Sequence, residues 1–102
     1  MKNLFSLDGK TAVVTGALGL IGKEHCRALS EAGANTAVCD IEQDKAAEFA
    51  DTLPGKAAGY GFDITDKSAV EKARDSILQE FSSIDILVNN AAINDMVENP
   101  AS

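Results

Sequence analysis

The chain has 102 residues, of which 45% are hydrophobic and 25% charged, and its formal net charge is −7. This length and composition are typical of one globular domain. The acidic balance excludes a nucleic-acid surface, because no Lys/Arg cluster is present to neutralise a phosphate backbone. No apolar stretch is long enough to cross a bilayer, and the start of the chain is charged too early for a secretory signal, so we expect a cytoplasmic protein with no membrane partner.

Four apolar runs predict the strands of a parallel sheet. Three of them are continuous, which is typical of strands buried on both faces by covering helices. The remaining run is interrupted by Gly59 and Gly61, but its position in the chain order is where we expect a third strand. In chain order, the predicted strands span residues 11–15, 36–39, 57–62 and 84–88.

Helical periodicity fills the gaps between these runs, at about residues 20–32, 42–53 and 67–81. Gly33 is the expected C-cap of the first helix, and Asp66 the N-cap of the third. The order βαβαβαβ predicts right-handed crossovers and an α/β fold whose single parallel sheet is incomplete in this chain. The residues expected to form the buried side of the first helix are Ile21, Ala28, Leu29 and Ala32.

The junction between the first strand and the first helix contains Gly16, Gly19 and Gly22. A strand that ends in such a turn and opens a helix aims backbone N–H groups and the positive end of a helix dipole at one point, where anions bind. In this pattern Gly16 allows the tight turn, Gly19 the close approach of a phosphate, and Gly22 the packing of helix against strand. The alternative is a turn whose glycines have a steric role only. We favour a pyrophosphate site to which Leu18 and Ile21 contribute mainly backbone amides and packing.

Asp40 ends the second predicted strand, where a Rossmann-like fold places an acidic residue. Such a carboxylate accepts hydrogen bonds from the adenosine ribose, and its charge repels a 2′-phosphate, so Asp40 predicts NAD rather than NADP. The alternative is a helix N-cap, because Asp40 and Gln43 have the spacing of a capping box. The two roles are compatible. No basic residue stands in the glycine turn to meet an extra phosphate, and Lys23 is expected to be solvated.

Four motifs in this order resemble the N-terminal half of a short-chain dehydrogenase/reductase: the glycine turn, Asp40, residues 62–66 (FDITD) and residues 86–92 (ILVNNAA). The resemblance covers the chain up to residue 92. It implies that residues 1–102 are the NAD-binding half-domain of a longer oxidoreductase. That enzyme would transfer hydride between the dinucleotide cofactor and a carbonyl or alcohol, and would form a homo-oligomer.

The resemblance also implies roles for single residues. On the family pattern the glycine turn lines the pyrophosphate and the nicotinamide side, and Asn89 ties neighbouring strands together. For Asp63 and Asn90 the residues alone favour loop-forming Asx hydrogen bonds at strand ends. The family pattern instead implies contacts with the adenine from Asp63 and Ile64 and with the ribose from Asn90 and Ala91.

Two departures from the family pattern bear on activity. Leu20 stands where the compact branch of the family has glycine or alanine, whereas the spacing of the three glycines is that of the family's extended branch. The substrate class therefore stays open and includes sugar derivatives. Ala92 replaces the glycine that usually ends its motif. The family's Tyr-x-x-x-Lys pair is not present, since the single tyrosine, Tyr60, is followed four residues later by Ile64. We therefore expect these residues to bind cofactor without turnover; the alternative is a non-catalytic nucleotide-binding or scaffolding module.

The remaining reactive side chains predict neither a metal site nor a nucleophile. Cys26 and Cys39 fall on a predicted helix and a predicted buried strand, where thiols pack as small apolar groups, so we expect no disulfide and no zinc. His25 has no accompanying nucleophile motif, which favours a packing or solvent-facing role. The last predicted strand would form an apolar, open edge of the sheet.

Overall fold

The structure, a computed structural model, describes residues 6–90. Its elements occur in the predicted order, and each bound lies within two residues of the prediction. They are β1 (Thr11–Thr15), α1 (Leu20–Glu31), β2 (Asn35–Asp40), α2 (Gln43–Asp51), β3 (Ala57–Gly61), α3 (Lys67–Phe81) and β4 (Ile86–Asn89).

The four strands form one parallel sheet in the order β3-β2-β1-β4. The register places Thr15 level with Cys39 on one side and with Asn89 on the other, while Asp40 is level with Gly61. The carboxyl ends of all four strands therefore meet at one edge. The strand order reverses between β1 and β4, which is the kind of position where open α/β sheets bind their ligands.

The core has two layers, one on each face of the sheet, because successive strand residues point to opposite faces. Val14 of β1 packs on the side of α1 and α2, whereas its neighbour Val13 packs on the side of α3. Every residue of β1 is buried, which confirms the prediction of a strand covered on both faces. Burying a valine side chain contributes about 1.5–3 kcal/mol, so these two layers hold the strand ends in place.

Only part of the buried side of α1 was predicted correctly, since Leu29 packs against the core but Ile21 and Ala28 do not lie on the buried side of the helix. Its fully buried residues are Gly22, Cys26 and Ser30, whereas Ile21 is 65% exposed and Ala28 is also exposed. The buried side chains are small, and a Cβ at Gly22 would overlap the carbonyl oxygen of Gly16. Close approach of helix and turn, rather than hydrophobicity, selects this face.

The predicted N-cap of α3 is present, and the glycine predicted to end α1 lies one residue beyond the C-cap, Ala32. Gly33 follows the last turn of α1 with φ +103°, and its N–H and that of Ala34 donate to the carbonyls of Ser30 and Leu29 across 3.0 Å each. This pair of bonds is a Schellman motif, which favours glycine at the left-handed position. At α3, the side chain of Asp66 accepts a hydrogen bond from the N–H of Ala69.

The last strand, β4, is less buried than its continuous apolar run predicted. Leu87 is 66% exposed and Ile84 is 37% exposed. Within residues 6–90, β4 pairs only with β1, so it forms the edge that the sequence predicted. Burial alternates along the strand, with Ile86 and Val88 partly buried and Leu87 and Asn89 exposed, so only one face of β4 packs on the core.

Candidate functional site

The turn after β1 is held tightly against β2. Gly16 has φ +64°, a left-handed conformation that favours glycine and confirms its role in the tight turn. The N–H of Ala17 donates to the carbonyl of Cys39 across 3.1 Å, and the N–H of Gly19 donates to that of Gly16 across 3.3 Å. The chain therefore leaves β1 in a fixed direction before α1 begins.

The N-terminus of α1 has backbone hydrogen-bond donors that no carbonyl of the helix accepts. Gly19 is the N-cap and has no side chain to cap the helix. The first helical bond runs from the N–H of Lys23 to the carbonyl of Gly19, so the N–H groups of Leu20, Ile21 and Gly22 have no carbonyl four residues earlier within the helix. Leu20 is 89% exposed. Unpaired N–H groups at a helix N-terminus, with the helix dipole behind them, favour negative charge.

Asp40 joins this turn to the end of β2. One carboxylate oxygen, Oδ2, accepts the N–H of Leu18 across 3.0 Å, and Oδ1 accepts the N–H of Ile41 across 2.8 Å. The Leu18 amide, which the sequence assigned to a phosphate, is thus engaged by Asp40. A carboxylate has about four lone-pair sites, so about two remain for further donors.

The capping-box alternative for Asp40 is wrong. The N-cap of α2 is Glu42, two residues later, and it makes no side-chain cap bond. Gln43 turns away from Asp40 and donates and accepts hydrogen bonds at Gly59 and Gly61 of β3. The carboxylate of Asp40 is therefore committed to the glycine turn rather than to the start of α2.

A cavity of about 260 Å³ lies beside Asp40 at the carboxyl edge of the sheet. It brings together residues from three separate stretches of the chain, namely the glycine turn, the end of β2 with the residue after it, and the 62–66 motif. Ile41 was not predicted to line a site, although its position directly after the β2 run was the signal for it. The lining residues are Gly16, Asp40, Ile41, Phe62, Asp63, Ile64 and Thr65.

Asp63 makes the Asx turn that its residue type predicted. Its Oδ1 accepts the N–H of Thr65 across 2.9 Å and the hydroxyl of the same residue across 2.7 Å. The bond from the Thr65 hydroxyl, followed by the backbone bond, lowers the pKa of the Asp63 carboxyl. Two carboxylates, those of Asp63 and Asp40, thus line this cavity.

The end of β4 contributes two asparagines. The hydroxyl of Thr15 donates to Oδ1 of Asn89 across 2.8 Å, which confirms that Asn89 ties β4 to β1. Asn90 is 5% exposed, and its buried Nδ2 has no hydrogen-bond partner among the described residues. A buried amide donor of this kind calls for an acceptor. Ala91, the remaining predicted site residue, lies outside the described residues.

A larger groove of about 580 Å³ lies on the other side of Asp40, between α1 and α2. Lys23, one of two lysines that line it, holds its ammonium 5.6 Å from the centre of the Phe49 ring, and Arg27 approaches the same ring at 5.4 Å. Cations over an aromatic face are stabilised by it. Lys23 is thus bound to the groove wall and does not point into the glycine turn.

The other reactive side chains are structural in the part of the chain described. Cys26 and Cys39 are free and buried, and burial raises the pKa of each thiol to about 12. His25 is partly buried, with its Nδ1 lacking a hydrogen-bond partner. Residues 6–90 contain no cluster of three or more His, Cys, Asp or Glu side chains able to hold a metal ion.

Comparison with known proteins identifies the family of this chain. A family model described as short chain dehydrogenase matches residues 10–101, which is most of the chain. The chain belongs to the short-chain dehydrogenase family. Across residues 6–90, none of the helices is both long enough and apolar enough to cross a membrane.

Short-chain dehydrogenases from several organisms are similar to it. A short chain dehydrogenase/reductase of Macrophomina phaseolina is 37% identical over 94 residues, which cover 88% of this chain and 54% of that protein. The sorbitol dehydrogenase of Cereibacter sphaeroides is 38% identical over 90 residues, covering 88% of this chain and 35% of that enzyme. The chain thus spans about a third to a half of the length of the curated relatives it matches.

The fold likewise matches that of a solved dehydrogenase. The crystal structure of a hydroxysteroid dehydrogenase from Escherichia coli superposes with a TM-score of 0.78 at 38% sequence identity. The match covers 83% of this chain and 37% of that one. The sheet β3-β2-β1-β4 with its alternating helices is therefore the part of the short-chain dehydrogenase fold that this chain forms.

Proposed function

We propose that this chain is the NAD-binding portion of a short-chain dehydrogenase that transfers hydride between NAD(H) and a carbonyl or alcohol. The observation that carries the proposal is the position of Asp40. Its carboxylate is held by the Leu18 amide at the glycine turn and also lines the cavity at the sheet edge. One acidic side chain therefore stands between an anion site and a nucleoside-sized space.

The residues fit the two halves of the cofactor in turn. The N–H groups of residues 20–22 would receive the pyrophosphate. Gly19 leaves room for it, since a Cβ built there meets only the carbonyl of Gly16, at 3.6 Å. The adenosine would occupy the cavity of about 260 Å³ beside Asp63 and Ile64. Its ribose hydroxyls would donate to Asp40, whose charge would repel a 2′-phosphate.

The end of β4 would complete the site. The buried Nδ2 of Asn90 has no partner among the described residues, and a ribose oxygen is an acceptor of the kind it needs. Ala91 follows it in the sequence and would add a backbone contact. The tie between Thr15 and Asn89 would hold this end of β4 at a constant distance from the glycine turn.

The nicotinamide ring, when bound, supplies or accepts the hydride. In this proposal the described residues bind and orient the cofactor and do not exchange a proton with the substrate. Burial raises the pKa of Tyr60, the single tyrosine, and keeps its phenol neutral, while its ring packs against the α3 layer of the core. We therefore propose that these residues bind NAD without turnover and that the proton-transfer residues belong to a longer protein.

Titration with NADH and with NADPH, followed by nicotinamide fluorescence, tests this function. We expect NADH to bind more tightly, and Asp40→Asn to remove most of the difference because it removes the repelling charge. Equal or tighter binding of NADPH by the unmodified protein would contradict the role of Asp40. Failure to bind either dinucleotide would contradict the proposed function itself.

The substrate is proposed only as a class. Names among the relatives include a sorbitol dehydrogenase, a galactitol 2-dehydrogenase and a 3-oxoacyl-[acyl-carrier-protein] reductase. A carbonyl or alcohol, including a sugar derivative, is the chemistry that these names share. Homo-oligomerisation and a cytoplasmic location remain predictions from the sequence.

A non-catalytic nucleotide-binding module is the second candidate. It is favoured by the position of Tyr60, which lies in β3 with Ile64 rather than lysine four residues later. The two candidates share the NAD site and differ in hydride transfer. Oxidation of NADH by the longer protein in the presence of carbonyl compounds would support the dehydrogenase, and binding without oxidation would support the module.

A further inference from the structure

Gln43, the first residue of α2, hydrogen-bonds to two backbone groups of β3. Its side-chain Nε2 donates to the carbonyl of Gly59 across 2.9 Å. The N–H of Gly61 donates to its Oε1 across 2.8 Å. The carboxamide thus binds the carbonyl of one strand residue and the N–H of the residue two positions later.

These two groups lie on the outer edge of the sheet. Lys56 and Phe62 use their backbone groups toward β2, since the N–H of Thr36 donates to the carbonyl of Lys56 and the N–H of Phe62 donates to that of Asp40, both across 2.9 Å. In a parallel pair the residues that bond to one neighbour alternate with those that face away. Gly59 and Gly61 therefore face away from β2, and the Gln43 carboxamide takes the place that a peptide group of a further strand would occupy.

The glycines of β3 make this contact possible. A Cβ at Gly61 would overlap the backbone nitrogen of Gln43, and a Cβ at Gly59 would overlap that of Ala47. The first turns of α2 consequently lie directly on β3. The two glycines that weaken the apolar run in the sequence are the residues that let α2 reach the strand.

We infer that Gln43 is a positioning residue for the adenosine cavity, an inference that rests on the proposed NAD-binding function. The clamped residue Gly61 is the last of β3, and the chain continues from it through Phe62, Asp63 and Ile64, which line that cavity. At its outer edge β3 has no strand partner among residues 6–90. The carboxamide of Gln43 supplies bonds on that side and fixes the direction in which the chain enters the cavity.

We call the two hydrogen bonds that join the Gln43 carboxamide to Gly59 and Gly61 the clamp. Two substitutions test its role, one by removing both bonds and the other by making one of them depend on pH. Gln43→Met keeps the length of the side chain and removes both hydrogen bonds. Gln43→Glu keeps the acceptor for Gly61 but places a charged oxygen against the carbonyl of Gly59. Protonation of that glutamate at low pH restores a donor, so in this variant the hydrogen bond to the carbonyl of Gly59 forms only in acid. Gln79→Met is the matched control, because Gln79 is exposed on α3 and its side chain makes no hydrogen bond to the described residues.

We expect Gln43→Met to weaken NAD binding about three- to tenfold, as the loss of one or two net hydrogen bonds would do. We expect exchange of the Gly61 amide hydrogen, measured by NMR without cofactor, to become about tenfold faster. For Gln43→Glu the loss relative to the unmodified protein should be similar near about pH 7. It should shrink to less than about twofold near about pH 4, through the ordinary titration range of glutamate.

The NAD affinity of Gln43→Glu is compared with that of the unmodified protein at each pH. This comparison removes the effect that the titration of other groups has on binding. The carboxylates nearest in sequence are Asp40, Glu42 and Asp44, and Tyr60 and Lys72 line the groove beside Gln43. All of these are present in both proteins. A pH-dependent recovery confined to Gln43→Glu would therefore report the clamp, since a merely structural substitution would not be rescued by acid.

The outcomes separate this inference from the proposed function. If the unmodified protein binds NAD and Gln43→Met binds it equally well, or if Gln43→Glu shows no recovery in acid, the positioning role is overturned. If Gln43→Met does not fold, the acid series of Gln43→Glu decides. If the unmodified protein does not bind NAD, the proposed function fails and the cofactor role of Gln43 fails with it, while the Gly61 exchange rate still reports whether the clamp exists.

Discussion

The backbone N–H of Leu18 donates to the carboxylate of Asp40 across 3.0 Å, over a sequence separation of 22 residues. This bond connects the glycine turn after β1 to the end of β2. Asp40 is thus at once a structural tie and the residue proposed to select the cofactor. The two roles are separable by substitution, because the tie needs an acceptor and the selection needs a charge.

Asp40→Asn and Asp40→Ala should separate these roles. Alanine removes both accepted hydrogen bonds, and we expect the free energy of unfolding to fall by about 1–3 kcal/mol. Asparagine keeps a neutral acceptor for one N–H and should lose less than half of that amount. Denaturant unfolding measures both losses. An alanine variant as stable as the unmodified protein would show that the bond to Leu18 contributes nothing to the fold.

Gly19 and Gly22 should respond oppositely to alanine. Because a Cβ at Gly22 would overlap the carbonyl oxygen of Gly16 and lie 2.8 Å from Cα of Ala17, we expect Gly22→Ala to lower the free energy of unfolding by about 1–3 kcal/mol or more. Gly19→Ala meets only an ordinary contact and should change stability by less than about 0.5 kcal/mol.

The matched pair also tests the pyrophosphate site. Gly19→Ala, although stable, should weaken NAD binding because its methyl group stands where the phosphate would approach the helix N-terminus. Thermal unfolding and NADH titration of the same two samples give both readouts. Tight NADH binding by Gly19→Ala would argue that the glycine turn has a steric role only.

Asp85 should make stability depend on acid pH. Its carboxylate accepts the N–H of Thr11 across 2.9 Å and the hydroxyl of Ser83 across 2.9 Å. The Thr11 bond first, and then the Ser83 bond, lowers the pKa of Asp85 below its ordinary value of 3.8. A carboxyl group whose pKa is lowered by folding stabilises the folded state at pH values above its ordinary pKa. This stabilisation is lost as the pH falls from the ordinary pKa to the lower pKa of the folded state.

The difference in unfolding free energy between the unmodified protein and Asp85→Asn measures this contribution. We expect the difference to be constant above about pH 5 and to shrink as the pH falls below about 4. Glu71→Gln is the control, because this exposed carboxylate of α3 accepts no hydrogen bond from the described residues. A difference for Asp85→Asn that does not change with pH would contradict the role of its charge.

Cys26 and Cys39 should be inert toward thiol reagents in the folded protein. Both are buried, and burial raises the pKa of each to about 12, so the reactive thiolate is scarce near neutral pH. We expect labelling by a disulfide reagent to be slow and to accelerate in parallel with unfolding by urea. Rapid, stoichiometric labelling without denaturant would show that the α1 and β2 packing opens readily.

The order of elements was predictable because it depends on residues that are close together in the chain. The continuous runs of β1 and β2 and the glycines at positions 16 and 33 are local signals, and each of those glycines has a positive φ. The buried face of α1 was not predictable from hydrophobicity. It is selected by the approach of Gly22 to the turn, which places Ile21 in solvent and turns Cys26 and Ser30 to the sheet.

The sequence by itself determined the alternation of strands and helices, the glycine turn, and the acidic residue at the end of β2. Each of these follows from periodicity, backbone sterics or position along one segment. Only the tertiary structure decided that Asp40 binds the Leu18 amide, that Gln43 clamps β3 rather than capping with Asp40, and that Gly16, Asp40 and Asp63 line one cavity. Those contacts depend on the parallel register, which brings residues far apart in the chain to one edge of the sheet.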